Sequence, residues 1–215
     1  METWLKELQK KRAIAVIRAS EFELGLHLAK SVATGGMQFI EITWNSDRAA
    51  ETIARLRQEM PDCSIGTGTI LSLSELRDAI AAGAQFIFSP HVEPALIRAA
   101  NDAGIPVIPG ALSPTEIVTA WQAGATCVKV FPIQAVGGAS YLKALQGPLG
   151  KIPLIPTGGV TLDNARSFLN AGAVAVGLSS QLFPSSLVAA KDWDAIAQLA
   201  TTATRYCSIE QGKKP

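Results

Sequence analysis

The chain has 215 residues, 48% hydrophobic and 17% charged, a balance that supports a sizeable core and excludes a disordered chain. A net charge of +1, with no basic run longer than paired lysines, argues against nucleic acid or an acidic membrane as partner. Cys63, Cys127 and Cys207 are scattered without a CxxC pair, which suits a reducing compartment.

In chain order, METWLKELQKKRA mixes acids and bases and has no apolar centre, so it does not read as a secretory signal. Residues 1–12 read as a helix that covers the bottom of the domain. No apolar run approaches the roughly 18 residues that span a bilayer. A cytoplasmic protein without membrane contact is expected.

AIAVIR is the first predicted strand. Five later segments share one shape: TGGMQFIEI, AAGAQFIFS, DAGIPVIPG, QAGATCVKVF and NAGAVAVGL. Each places a glycine after a helical pattern, where the left-handed conformation closes a helix. The apolar run that follows reads as a strand buried on both faces. CSIGTG and IPLIPTGG fill the two larger gaps, which makes eight strands. Between them lie amphipathic stretches such as SELRDAIAA, PTEIVTAWQ and TLDNARSFL. Ser113-Pro114 with Glu116, and Thr161 with Asp163, mark two helix starts.

Strand–helix alternation of this kind predicts an α/β fold with parallel strands. Eight units close most naturally into a (β/α)₈ barrel, a TIM barrel, with residues 1–215 as one domain. A doubly wound open sheet is the alternative, but it normally uses fewer units. Near the C-terminus, WDAIAQLATTATRYC sets Trp193, Ile196, Ala200 and Ala203 at helical spacing to pack on the barrel wall. The tail from 208 to 215 is expected to fray.

Strand parity then sorts the charged residues. In CVKVF, Val128 and Val130 suit the helix side, which turns Cys127, Lys129 and Phe131 inward. In FIEIT, Phe39, Glu41 and Thr43 turn inward, and in AVIR so do Val16 and Arg18. One rule therefore sends Lys129, Glu41 and Arg18 to a single cavity near the C-terminal strand ends, where barrel active sites are built. Lysine is almost never fully buried unless compensated, and one escape is to lose the proton and leave a nucleophilic amine. A cluster serving packing alone is the bland alternative. Apolar replacement of such clusters is often neutral, so stability is a weak reason to keep one. For Arg18, an ion pair with Asp47 or Glu51 is the alternative.

A second site follows the seventh predicted strand. PTGGVTLDN sets Gly158 and Gly159 before a helix start, and GLSSQ ends the eighth strand. Amide groups in such a turn favour an anion, and these two loops are the usual phosphate position of the barrel. A plain turn is the competing reading. GTGTIL lacks the Lys-Ser/Thr pair of a phosphate loop and reads as a strand end, with Thr67 and Thr69 lining the cavity. His27 and His91 lie far apart, so no metal set is expected. His91 in SPHVEP reads as a loop residue.

Together, FIEIT, GTGT, FIFSP, PVIPGALSPTE, KVFP and PTGGVTLDNA resemble the 2-keto-3-deoxy-6-phosphogluconate (KDPG) and 4-hydroxy-2-oxoglutarate (KHG) aldolase family. The resemblance runs from about Ile14 to Leu182. It implies a class I lyase, a homotrimer of barrels, and no metal or cofactor. Lys129 matches the Schiff-base lysine and Glu41 the acid–base carboxylate. Thr69 and Pro90 match residues lining the pyruvate pocket, and Phe131 the ring beside the lysine. Thr157, Gly158 and Gly159 match the phosphate turn, with Ser180 as a further phosphate contact. Many members carry an Arg that grips the substrate carboxylate where EITWN places Asn45; Arg18 would supply that charge, as in relatives with an Arg ending the first strand. Ser179 stands where members often have Gly.

The expected reaction is cleavage of a 2-keto-3-deoxy sugar acid, KDPG or 4-hydroxy-2-oxoglutarate, to pyruvate and an aldehyde through a lysine enamine. Cleavage of 2-keto-3-deoxy-6-phosphogalactonate and oxaloacetate decarboxylation need the same enamine. A phosphate-metabolite-binding barrel without turnover is the alternative outside enzymes.

Overall fold

The computed structural model describes residues 1–208. Its strands are β1 (Ala13–Ile17), β2 (Phe39–Thr43), β3 (Ser64–Gly68), β4 (Ile87–Phe88), β5 (Val107–Ile108), β6 (Gly110–Ala111), β7 (Val128–Val130), β8 (Leu154–Pro156) and β9 (Val176–Leu178). The helices between and around them are α1 (Glu2–Lys11), α2 (Phe22–Thr34), α3 (Ala49–Glu59), α4 (Leu73–Ala81), α5 (Pro94–Asp102), α6 (Pro114–Gln122), α7 (Gly138–Leu149), α8 (Leu162–Asn170), α9 (Ser185–Ala190) and α10 (Trp193–Cys207). The fraying expected for the tail falls almost wholly outside the described residues.

The architecture is α/β with curled parallel sheets. In place of one continuous eight-stranded sheet there is a six-stranded half-barrel, ordered β5-β4-β3-β2-β1-β9, and a three-stranded sheet, β6-β7-β8. The division has a local cause. The fifth expected strand is interrupted at Pro109, which has no N–H for the ladder. On one side of the proline, β5 pairs with β4; on the other, β6 pairs with β7. The Pro109 carbonyl still accepts from the Lys129 N–H at 2.9 Å. Between β8 and β9, the Val174 N–H donates to the Leu154 carbonyl at 3.0 Å.

Helix ends follow the sequence signals. Ser113 and Glu116 form a reciprocal capping box at α6. At α8 the reciprocal partner of Thr161 is Asn164, not Asp163, because Asn164 occupies the third helical position. Gly83 after α4 and Gly172 after α8 have φ of +89° and +100°, the left-handed turn that glycine adopts without strain.

Side chains alternate along the strands between two apolar cores. Ala15, Ile17, Ile40, Ile42, Val128 and Val130 pack toward the helices. Ile14, Phe39, Phe86, Phe88, Ile108, Cys127, Ile155 and Ala175 form an inner core between the sheets. Helix α1 closes the lower end of that core: Leu8 is fully buried in it, and the Trp4 ring lies 5.6 Å from Phe39 and 5.3 Å from Phe86. The Trp4 indole N–H donates to Ser64 Oγ at 3.2 Å, so the half-buried ring keeps its polar atom satisfied. On the opposite wall, α10 packs on α2 and α8 through Ile196, Ala200 and Ala203, while Trp193 stacks on His27 at 4.9 Å. No helix among the described residues is long and apolar enough to cross a membrane.

Candidate active site

Above the inner core, at the C-terminal strand ends, lies a cavity of about 400 Å³. Arg18 follows β1, Glu41 lies in β2, Thr69 follows β3 and Pro90 follows β4; all four line it. Lys129 in β7 and Phe131 just beyond it line the facing wall. Thr157, Gly158 and Gly159 after β8, and Ser180 after β9, complete the rim. All ten site residues expected from the sequence thus meet in one cavity, although they come from seven separate loops and strands.

Lys129 and Glu41 are both buried. The Lys129 ammonium nitrogen sits 4.6 Å from the centre of the Phe131 ring and 5.9 Å from that of Phe88. No ion pair within 4 Å joins Lys129 to a carboxylate among the described residues. Burial pulls the lysine below its ordinary value; Glu41 opposes that fall and Arg18 adds to it. Burial pushes the Glu41 carboxyl up, against the pull of Lys129 and Arg18. The low-polarity wall therefore favours the uncharged form of each group, and that form makes lysine a nucleophile and a carboxyl a proton donor.

Arg18 is exposed at the mouth. The alternative ion pair is not made: Glu51 pairs with Arg48, and Asp47 accepts the Phe22 N–H at 3.1 Å. Its charge is felt by both Glu41 and Lys129.

The turn after β8 is fastened from behind. The carbonyls of Thr157, Gly158 and Gly159 accept from the Ile133 N–H, the Gln134 N–H and the Asn164 side-chain amide at 3.0, 3.1 and 3.0 Å. Gly158 and Gly159 both have positive φ, 87° and 86°. Added side-chain carbons would lie 3.0 Å from the Phe131 ring and 2.4 Å from Gln134, so both bulk and backbone conformation require glycine here. Among the described residues, Thr157 Oγ1 is buried with no hydrogen-bond partner. A buried hydroxyl left without a partner costs about 1–3 kcal/mol.

One expectation changes. Thr67 does not line the cavity: it is fully buried on the helix side, and its hydroxyl donates to the Ile42 carbonyl at 2.6 Å. The inward positions of β3 are Gly66 and Gly68, as the outward Ile65 implies by parity. Thr69 reaches the cavity because its backbone turns to φ 63°, a rare conformation for a β-branched residue that costs of order 1–3 kcal/mol. Val160 and Gly177 also line the cavity and carried no chemical signal in the sequence. His91 lines an adjoining hollow of about 320 Å³ that shares Pro90 and Phe131 with the main cavity. Among the described residues, no cluster of His, Cys, Asp and Glu could hold a metal ion.

Fold and site together define an α/β enzyme with a buried lysine–carboxylate pair at the C-terminal ends of parallel strands. The KDPG and KHG aldolase family model matches residues 5–199. The 2-dehydro-3-deoxy-phosphogluconate aldolase of Treponema pallidum (strain Nichols) is 35% identical over 209 residues, covering 97% of this chain and all of its own. The KHG/KDPG aldolase of Escherichia coli (strain K12) is 33% identical over 196 residues, covering 91% of this chain and 92% of its own. Among solved structures, the KDPG aldolase of Legionella pneumophila, captured with pyruvate as a covalent carbinolamine, superposes with a TM-score of 0.87 at 30% identity, covering 94% of this chain and 99% of that one. This chain belongs to the KDPG and KHG aldolase family.

Proposed function

We propose that the protein is a class I aldolase that cleaves 2-keto-3-deoxy-6-phosphogluconate or 4-hydroxy-2-oxoglutarate to pyruvate and an aldehyde. The observation that carries this reading is the pairing of a buried lysine and a buried carboxylate across one cavity, with both groups driven toward neutrality.

Uncharged Lys129 attacks the C2 ketone, and Glu41 delivers and removes the protons that turn the carbinolamine into an iminium. The iminium draws the electron pair of the C3–C4 bond as that bond breaks, while the C4 hydroxyl gives its proton to Glu41, directly or through water. The aldehyde leaves, the enamine takes a proton at C3, and hydrolysis frees pyruvate and Lys129. Arg18 holds the carboxylate in the role of the arginine that Asn45 replaces. Thr69, Pro90 and Phe131 shape the pyruvate pocket. Thr157, Gly158, Gly159 and Ser180 receive the distal phosphate, for which the two backbone amides of the glycine turn are suited.

The same reading treats the two sheets as one closed (β/α)₈ barrel, bridged by the chain through Pro109 and by the Val174–Leu154 bond. It takes the chain as a single domain and the assembly as a cytoplasmic homotrimer. The relatives favour none of the alternatives: galactonate cleavage, decarboxylation or binding without turnover.

Pyruvate release from each substrate, followed with a coupled lactate dehydrogenase, tests the proposal. Turnover of at least one substrate that disappears in Lys129→Ala is expected. No pyruvate from either substrate, or turnover surviving the substitution, overturns it.

A further inference from the structure

Strand β3 presents two glycines to the interior, and each faces a different kind of neighbour. A side-chain carbon at Gly66 would lie 2.5 Å from the Phe86 ring and 2.5 Å from the Phe86 carbonyl oxygen. At Gly68 it would lie 1.8 Å from Glu41 Oε1, 2.5 Å from Cδ and 3.2 Å from Cγ. The first glycine makes room for the core and the second for the carboxylate.

The backbone at Gly68 has little freedom to give way. Gly68 is in register with Thr43 of β2, and its carbonyl accepts the Trp44 N–H at 2.7 Å. One residue later the chain turns through the left-handed conformation of Thr69 into the cavity wall. A methyl group at position 68 therefore cannot be met by moving β3. The movable atoms are the far end of the Glu41 side chain.

We propose that Gly68 is a positioning residue for the aldol reaction: its bare Cα is the seat on which the Glu41 carboxylate rests, and any side chain there displaces the carboxylate toward the cavity mouth. The proposal deepens the reading of Glu41 as the proton carrier and rests on it. A displaced carboxylate slows the proton transfers of iminium formation as well as those of cleavage, but Lys129 stays in place, so trapping with pyruvate still reaches the same end-point. What suffers is proton transfer, which depends on hydrogen-bond reach to the reacting oxygen and carbon. The displaced group also gains solvent, so its upward shift relaxes and the acid limb of the activity profile moves to lower pH.

Four proteins test this: Gly68→Ala, Gly66→Ala, Glu41→Gln, and Gly68→Ala combined with Glu41→Gln. The readouts are kcat against pH, the end-point of pyruvate–borohydride trapping, and the melting temperature. Gly68→Ala is expected to melt within about 3 °C of wild type, a change under about 1 kcal/mol for a chain of this size. It should keep full trapping and lose at least about 30-fold in kcat, within the range that general acid–base catalysis supplies. On the Glu41→Gln background the same change should cost nothing more. Gly66→Ala, by contrast, should lower the melting temperature.

Wild-type turnover in Glu41→Gln would remove the proton-carrier role itself. Impaired Glu41→Gln beside wild-type kcat in Gly68→Ala would overturn the seat alone. So would a Gly68→Ala protein that loses trapping and stability together, or losses that multiply in the double variant.

Discussion

Phe39, Phe86, Phe88, Cys127 and Ile155 fill one end of the strand interior, above Trp4 and Leu8. Glu41, Lys129 and Arg18 stand at the other end, around a cavity of about 400 Å³. The same strands and the same alternation of side chains build both ends. In β2, Phe39 and Glu41 are inward positions two residues apart; in β7 and the segment before it, Cys127 and Lys129 are another such pair. The apolar end carries the packing energy, and it also supplies the dry floor that moves the lysine and carboxyl of the upper end away from their ordinary values. Stability and reactivity are thus separated along the strand by one two-residue repeat of the pleat.

Exchanging character between the two ends breaks this comparison most directly. Lys129→Met puts lower-end chemistry in the upper end, and it should reduce kcat by more than about 10⁴-fold, as loss of a nucleophile does. The same variant should be more stable, by about 1 kcal/mol or more, because a buried amine is replaced by an apolar side chain of similar length. The sign with pH follows from the lysine lying below its ordinary 10.5 in the folded protein. Between the folded and unfolded values the unfolded chain binds more protons, so wild-type stability rises with pH across that window. The advantage of Lys129→Met should therefore be greatest below the folded value and fade as pH approaches 10.5, measured by urea unfolding at several pH values.

Phe86→Ala tests the other end. It should cost about 3–5 kcal/mol of stability by urea titration, while kcat of the folded fraction changes little. A large fall in kcat at unchanged stability would contradict the division.

Within the upper end, Gly158→Val sharpens the split between chemistry and phosphate recognition. It adds bulk against Phe131 at a backbone position of φ 87°. The KM for 2-keto-3-deoxy-6-phosphogluconate should rise about 10-fold more than that for 4-hydroxy-2-oxoglutarate, a difference of about 1.4 kcal/mol. Equal effects on both would take the phosphate away from this turn. The smallest change is expected from Arg18→Gln, which should raise KM for both substrates about 5- to 10-fold in line with the loss of one exposed charge-assisted hydrogen bond. No change in KM for either would remove Arg18 from carboxylate binding.

Much of this division is legible in the sequence. Alternation across AVIR, FIEIT and CVKVF is enough to turn Arg18, Glu41 and Lys129 toward one another, because a buried parallel strand gives every residue only two directions. The glycine turn of PTGG and the caps at Ser113 and Thr161 are equally local signals. What escaped depends on contacts between distant segments or on backbone conformation. Thr67 and Thr69 have equal parity, yet one lies behind the sheet and the other in the cavity, because the chain leaves the strand conformation between them. The break of the fifth strand at Pro109 is a ladder property that shows only once the neighbouring strands are known. The role of Gly68 is invisible as well, since a missing side chain has meaning only against the carboxylate that fills its place.

The central claim is that Lys129, uncharged in a dry wall, captures a keto acid. Borohydride reduction in the presence of pyruvate, followed by mass mapping of the peptides, measures this directly. The account predicts one pyruvate-derived adduct per chain, on Lys129, and none in Lys129→Met. An adduct on a different lysine, or equal labelling of the variant, would contradict it.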